Sequence, residues 1–175
     1  MATDKKPSAV NVLQTRGKRV IAEATVPRQV IKVGARAPLD QVLAARQTSN
    51  LGNRLSGAIS NSSHAVNVIT VVFVATGQDV ANGSEASASS NDARITADGD
   101  YYSVTLPSLI VATYGGTGLA TQRECLEMMG CYWTGKVRRL AEIIAATVLC
   151  GEISLGTAIV ADEWVSSHDQ YGRNR

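Results

Sequence analysis

Residues 64–79, HAVNVITVVFVATGQD, carry no charged side chain between His64 and Asp79 and are apolar over most of their length. A run of this kind has to be covered by the rest of the chain. It is too short to span a bilayer, which takes about 20 apolar residues. Its valines and isoleucines favour strand, but its length is closer to that of a buried helix, and periodicity does not separate the two. We read it as a central helix that delivers Asp79 to a polar site. A carboxylate left in an apolar core needs a cation, hydrogen-bond donors or a proton.

The surrounding composition narrows the class. In 175 residues, 45% apolar, there is enough material for one domain with a core. The net charge of +2 is spread along the chain and aromatics make up 5%, so no nucleic-acid partner is expected, and no membrane. Cys125, Cys131 and Cys150 have neither disulfide nor zinc spacing, which points to a reducing compartment. No charged-then-apolar leader opens the sequence, so a cytoplasmic location is expected.

Local signals place the elements. Lys18–Val26 is β-branched and alternating, a strand. Pro27 starts a short helix that Gly34 closes, a second short helix covers 39–46, and 48–53 is a loop or helix end. The small polar stretch 81–92 is the most flexible part of the chain. Asp98-Gly99 marks a hairpin, with Tyr102, Val104 and Leu106 on one face of its second arm. Extended chain at 108–113 leads to a turn at Gly115-Gly-Thr-Gly118. The Thr121…Glu124 capping box opens a helix to about Gly130. A long helix then runs from Val137 to about Val165, with Gly151 demanding close packing or a break, and 166–175 is a polar tail. The sum is an α+β fold.

Candidate chemistry is sparse: two histidines, Lys5 and Lys6, and Asp79. Neither histidine has a companion at metal-ligand spacing, so no metal is expected. The 115–118 loop could cradle a phosphate but lacks the Walker lysine and a full GxGxxG. Each lysine and histidine, taken alone, is a surface or packing residue.

Taken in order, DKKPSAVNVLQTRGK (4–18), RVIAEATVP (19–27), NSSHAVN (61–67), ATGQD (75–79), LPSLIVATYGGTG (106–118) and GEISLGTAIVADEWVSSH (151–168) resemble the C-terminal half of the HMG-CoA reductase catalytic domain. The resemblance covers nearly the whole chain. It implies a single large-domain-like unit over 1–175, with a long central helix packed by further helices and a small sheet. It also implies a homodimer with its sites at the subunit interface. By the match, Lys5 looks like the lysine that stabilises the oxyanion at the thioester carbonyl, and Asp79 like the aspartate bonded to it. His168 looks like the acid that protonates the departing thiolate. Lys6, His64 and Asn67 fall on substrate-holding positions.

The departures are as informative. The family's catalytic glutamate, its dinucleotide motif and its small NADPH-binding domain lie upstream of the matched segments, so no cofactor is expected. The lysine before NLVGSA is Ser49, the glutamate of MPSIEIG is Ile110, and EGRG reads Gln14-Thr-Arg-Gly17. Arg46 and Arg54 are the two alternatives to replace the lost anion-binding lysine, and the sequence leaves the choice between them open. The sequence therefore favours a cofactor-independent enzyme of specialised metabolism. Its Lys5/Asp79/His168 site, with Lys6, His64, Asn67 and Arg54 holding substrate, would polarise a carbonyl to promote cyclisation, isomerisation or proton transfer on a polyketide- or terpenoid-like molecule. Two alternatives stand beside it: a pseudoenzyme that binds an intact reductase or a ligand, and a fragment of an NADPH-dependent reductase. Residues 1–10 are expected to be ordered mainly by dimerisation or ligand.

Overall fold

Three antiparallel strands and eight α-helices make up the fold, in a computed structural model that describes residues 4–14, 16–34, 37–114 and 119–172. The glycine turn expected at 115–118 and the extreme ends of the chain lie outside the described residues. In chain order the elements are α1 (Ala9–Leu13), β1 (Lys18–Val26), α2 (Arg28–Gly34), α3 (Leu39–Leu55) and α4 (Ala65–Thr76). A 3-10 turn (Val80–Asn82) and α5 (Gly83–Ala86) follow, then β2 (Ser90–Ile95) and β3 (Asp100–Leu109). The chain ends with α6 (Ala120–Met128), α7 (Val137–Val160) and α8 (Glu163–Gln170).

The sheet order is β1-β3-β2. The Asp98-Gly99 turn sets the β2–β3 register, with Ile95 opposite Asp100 and Asn91 opposite Val104. Tyr102, Val104 and Leu106 share the buried face, as their alternation predicts. Pro107 cannot donate to a ladder. The β1–β3 register slips there, with Lys18 opposite Leu109 but Val20 opposite Leu106. The extra residue lets Ser108 Oγ donate to the carbonyl of Asn11 at 2.9 Å and so ties α1 to the sheet. Gly17 enters β1 at φ +81, where a Cβ would lie 2.4 Å from the Leu109 carbonyl oxygen.

The apolar run is a helix, as expected. Ile69 and Phe73 of α4 are fully buried against Leu140, Ile144 and Val148 of α7 and Leu126 of α6. The other side of α7 packs on β1 and β3. By length and composition α7 is also apolar enough to cross a membrane, and here it forms the floor of the core.

Four local expectations are corrected. The helix from Leu39 does not stop at 46 but runs through 48–53 to Leu55, with Asn50 Oδ1 accepting from Asn61 and Arg46 lying over the Tyr102 ring. These tertiary contacts outweigh the modest propensity of Thr48, Ser49 and Asn50. The stretch 81–92 is not the loosest part of the chain, because Glu85 and Ala86 are completely buried. The Thr121 capping box is unused: α6 starts at Ala120 behind Leu119, with no side-chain cap. Finally, the long helix breaks at Asp162, which adopts φ +57, a conformation aspartate tolerates. A separate helix, α8, then carries the polar sequence as far as Gln170.

Candidate functional site

Gly77, in the left-handed conformation, stops α4 and turns the chain so that Asp79 leaves the core. Asp79 is therefore not a buried acid; its side chain is 49% exposed. One carboxylate oxygen caps the 3-10 turn, accepting from the Ala81 N–H at 3.1 Å. Its Oδ2 lies 2.6 Å from the Nζ of Lys5. The hydrogen bond and charge of Asp79 raise the Lys5 ammonium above its ordinary value. The bond from Lys5, helped by the Ala81 N–H, holds Asp79 below the usual carboxylate range. The Lys5 ammonium is thus held by a carboxylate while both side chains stay about half exposed.

The segment that carries Lys5 is held from within the chain. Glu85, with no exposed surface, accepts from the Lys5 backbone N–H at 3.1 Å and from Asn11 Nδ2 at 3.3 Å. It also takes both sides of the Arg16 guanidinium, at 3.1 Å to Nε and 2.8 Å to the terminal nitrogen. Arg16 in turn contacts Asp4 and the side-chain oxygen of Asn82.

At the other end of α4, Glu152 reaches across from α7. Its buried carboxylate accepts the backbone N–H groups of Ser63, His64 and Ala65 and the hydroxyl of Ser62. Those N–H groups would otherwise be orphans of the helix start, and a carboxylate is favoured at that positive end. His64 packs its imidazole against Gly151. A cleft of about 220 Å³ opens beside this point between α3 and α7, where Arg46, Ser49, Asn61 and Glu152 face Leu155 and Ile159.

The structure joins Lys5 to Asp79 and distributes the other expected residues. Lys6 is exposed beside Lys5. Asn67 is exposed on the outer face of α4. Arg46 lines the same cleft as Ser49, whereas Arg54 lines a separate groove with Asn53 and Ser60. His168 sits on α8, its ring against Trp164 and its Nδ1 2.6 Å from the Trp164 carbonyl oxygen.

Three residues were missed. Glu152 had a signal: it sits three and four places after Leu149 and Val148 on the core face, where a lone charge demands a partner. Glu85 had none, because its neighbours are small and polar like those of any loop. Arg16 was passed over as part of an altered motif.

Among the described residues, no group of three or more His, Cys, Asp or Glu side chains could hold a metal ion. Of the clefts among the described residues, that of about 220 Å³ is below the range for drug-sized ligands, ~300–1,000 Å³, and that of about 410 Å³ is in its lower half. No described glycine-rich strand-to-helix turn walls either, so neither fits a nicotinamide dinucleotide.

Comparison with known proteins matches residues 1–173 to the family described as hydroxymethylglutaryl-coenzyme A reductase. The 3-hydroxy-3-methylglutaryl-coenzyme A reductase of Methanocaldococcus jannaschii is 38% identical over 172 residues, covering 97% of this chain and 42% of the relative. That of Aeropyrum pernix is 41% identical over 180 residues, covering 99% and 43%. A reductase of Cannabis sativa is 38% identical over 183 residues, covering 98% and 32%. The chain thus spans less than half the length of these relatives.

Proposed function

The chain belongs to the hydroxymethylglutaryl-coenzyme A reductase family, and on that premise we propose that it is the carbonyl-polarising portion of a reductase-type catalytic unit, completed by further polypeptide. The Lys5–Asp79 ion pair carries this reading. An ammonium fixed by a carboxylate, aimed outward, stabilises negative charge that develops on a thioester carbonyl oxygen, and its worth rises when the site is closed to water. Asp79 keeps the lysine charged and oriented. His168 is the proton donor to the departing thiolate, and Lys6, exposed beside Lys5, holds the substrate.

Further polypeptide is supported by α4 itself. Val66, Val71 and Val74 are exposed on the side of the helix that also bears Asn67, although a helix apolar all round belongs in an interior. The half-exposure of both members of the ion pair supports an assembly at a subunit interface. The cofactor-independent cyclase expected from the sequence gains nothing from the comparisons, since the relatives that cover the chain from end to end bear the reductase name. No observation favours the pseudoenzyme.

The test is to co-express the chain with the unmatched portion of the Methanocaldococcus jannaschii reductase and assay NADPH oxidation with 3-hydroxy-3-methylglutaryl-CoA. Turnover by a copurified complex, absent from either part alone, is expected. A stable complex without turnover would overturn the reading.

A further inference from the structure

We infer that Glu85 is a positioning residue for Lys5: its buried carboxylate fixes the backbone from which the Lys5 ammonium reaches Asp79. This rests on the role given to Lys5 above, but its geometry stands separately.

Lys5 adopts φ +56, a left-handed conformation that a side-chain-bearing residue takes up only when its surroundings impose it. What imposes it is visible. The Lys5 N–H donates to Glu85 Oε2, and the same oxygen receives the Arg16 guanidinium. The other oxygen receives Arg16 Nε and Asn11 Nδ2, and Ser8 Oγ bonds the Asn11 side-chain oxygen at 2.6 Å. Donors from Lys5, Asn11 and Arg16 therefore converge on one carboxylate.

That carboxylate is supplied by a single turn of helix a few residues after Asp79. The two halves of the ion pair are in this way referenced to one another: Asp79 by the chain leading into α5, Lys5 by the side chain of Glu85. A long lysine at a chain position without such an anchor would sample many rotamers, and a cation is useful to a developing oxyanion only if its position is fixed beforehand. Burying a carboxylate is costly unless it is paired and well bonded, and Lys5, Asn11 and Arg16 of the N-terminal segment all bond Glu85. Ordering the segment and bonding the acid therefore support one another.

The experiment uses the full chain and reads Lys5 directly, without any enzymatic assay. Amide hydrogen exchange in the wild type should show the Lys5 N–H protected. A Lys5 N–H exchanging at the rate of an unstructured peptide would overturn the inference whatever the variants do. Glu85→Gln, which preserves shape and removes the charge, should raise exchange at Lys5 by about tenfold or more, the loss of one charge-assisted hydrogen bond. It should also move the Lys5 side-chain titration, followed by NMR, down toward the ordinary lysine value. Arg16→Lys, keeping charge but losing the fork, should shift both readouts in the same direction and serves if Glu85→Gln does not fold. A purely structural Glu85 would lower global stability and leave the Lys5 titration of the folded protein unmoved. That result would also overturn the inference. Activity of the completed assembly is a separate matter: an inactive assembly with an anchored Lys5 would sink the proposed function and leave the role of Glu85 standing.

Discussion

The Nδ1 of His64 occupies the space into which a side chain at Gly151 would grow: a Cβ there would lie 2.8 Å from it. The glycine in the middle of α7 is thus the contact surface for the residue that opens α4. Helix propensity alone says that Gly151→Ala should stabilise by about 1 kcal/mol. The contact reverses the sign. We expect a net loss of about 1–2 kcal/mol, typical of overpacking, read as a lowered urea midpoint with an unchanged slope. The same variant should change the NMR shifts of the His64 ring.

Asp100 is 1% exposed on the inner face of β3, and neither carboxylate oxygen has a hydrogen-bond partner among the described residues. Burial pushes its pKa up, partly opposed by the charge of Arg28. A folded pKa above the unfolded one means that the folded state binds the proton more tightly. The contribution is fully present below the unfolded value of about 3.9 and is lost as pH rises through the folded value. Asp100→Asn should remove this slope and leave the protein more stable than wild type at neutral pH. Thermal melts of both proteins from pH 4 to pH 8 measure it.

The ion pair behaves in the opposite way. Asp79 is depressed, so its contribution is present above about 3.9 and is lost as pH falls through its folded value. Lys5 is raised, so its contribution is present below about 10.4 and is lost as pH rises through its folded value. Between those limits the pair does not change charge. An inflection near neutrality in the pH–rate profile of the completed assembly should therefore survive in Asp79→Glu, which keeps the carboxylate. If the inflection moved with Asp79, the pair would be the titrating group and this account of it would be wrong.

Val71 and Val74 are 67% and 58% exposed on the outer face of α4. Replacing either with serine should change the stability of the chain alone by less than about 0.5 kcal/mol, as for most surface positions. Association with the completing polypeptide should weaken several-fold. Titration of the two parts by calorimetry checks the second statement and chemical denaturation the first.

Much of this architecture was readable in advance where one signal dominated. The alternation of β1 and the Asp98-Gly99 turn each left one workable structure, and each formed; the charge-free run of α4 left strand and helix open, its length favoured the helix, and the helix formed. Where two weak signals competed, tertiary contact decided. Asn50 and Arg46 find partners on the 60–63 loop and on β3, so α3 continues through residues that favour caps and loops. The Lys5–Asp79 pairing came from resemblance, since nothing in spacing relates two residues so far apart in the chain. Glu152 was within reach, being a lone acid on an apolar helical face. Glu85 was not. Its burial is a consequence of where the N-terminal segment folds back, which local sequence does not encode.

The central claim is that the Lys5 ammonium, held by Asp79, stabilises the oxyanion. The most direct measurement is steady-state kinetics of the completed assembly with Lys5→Ala. The account predicts a fall in kcat of about 10²–10³, the cost of removing a preorganised oxyanion contact, with KM nearly unchanged. Full turnover by a folded Lys5→Ala assembly would contradict it.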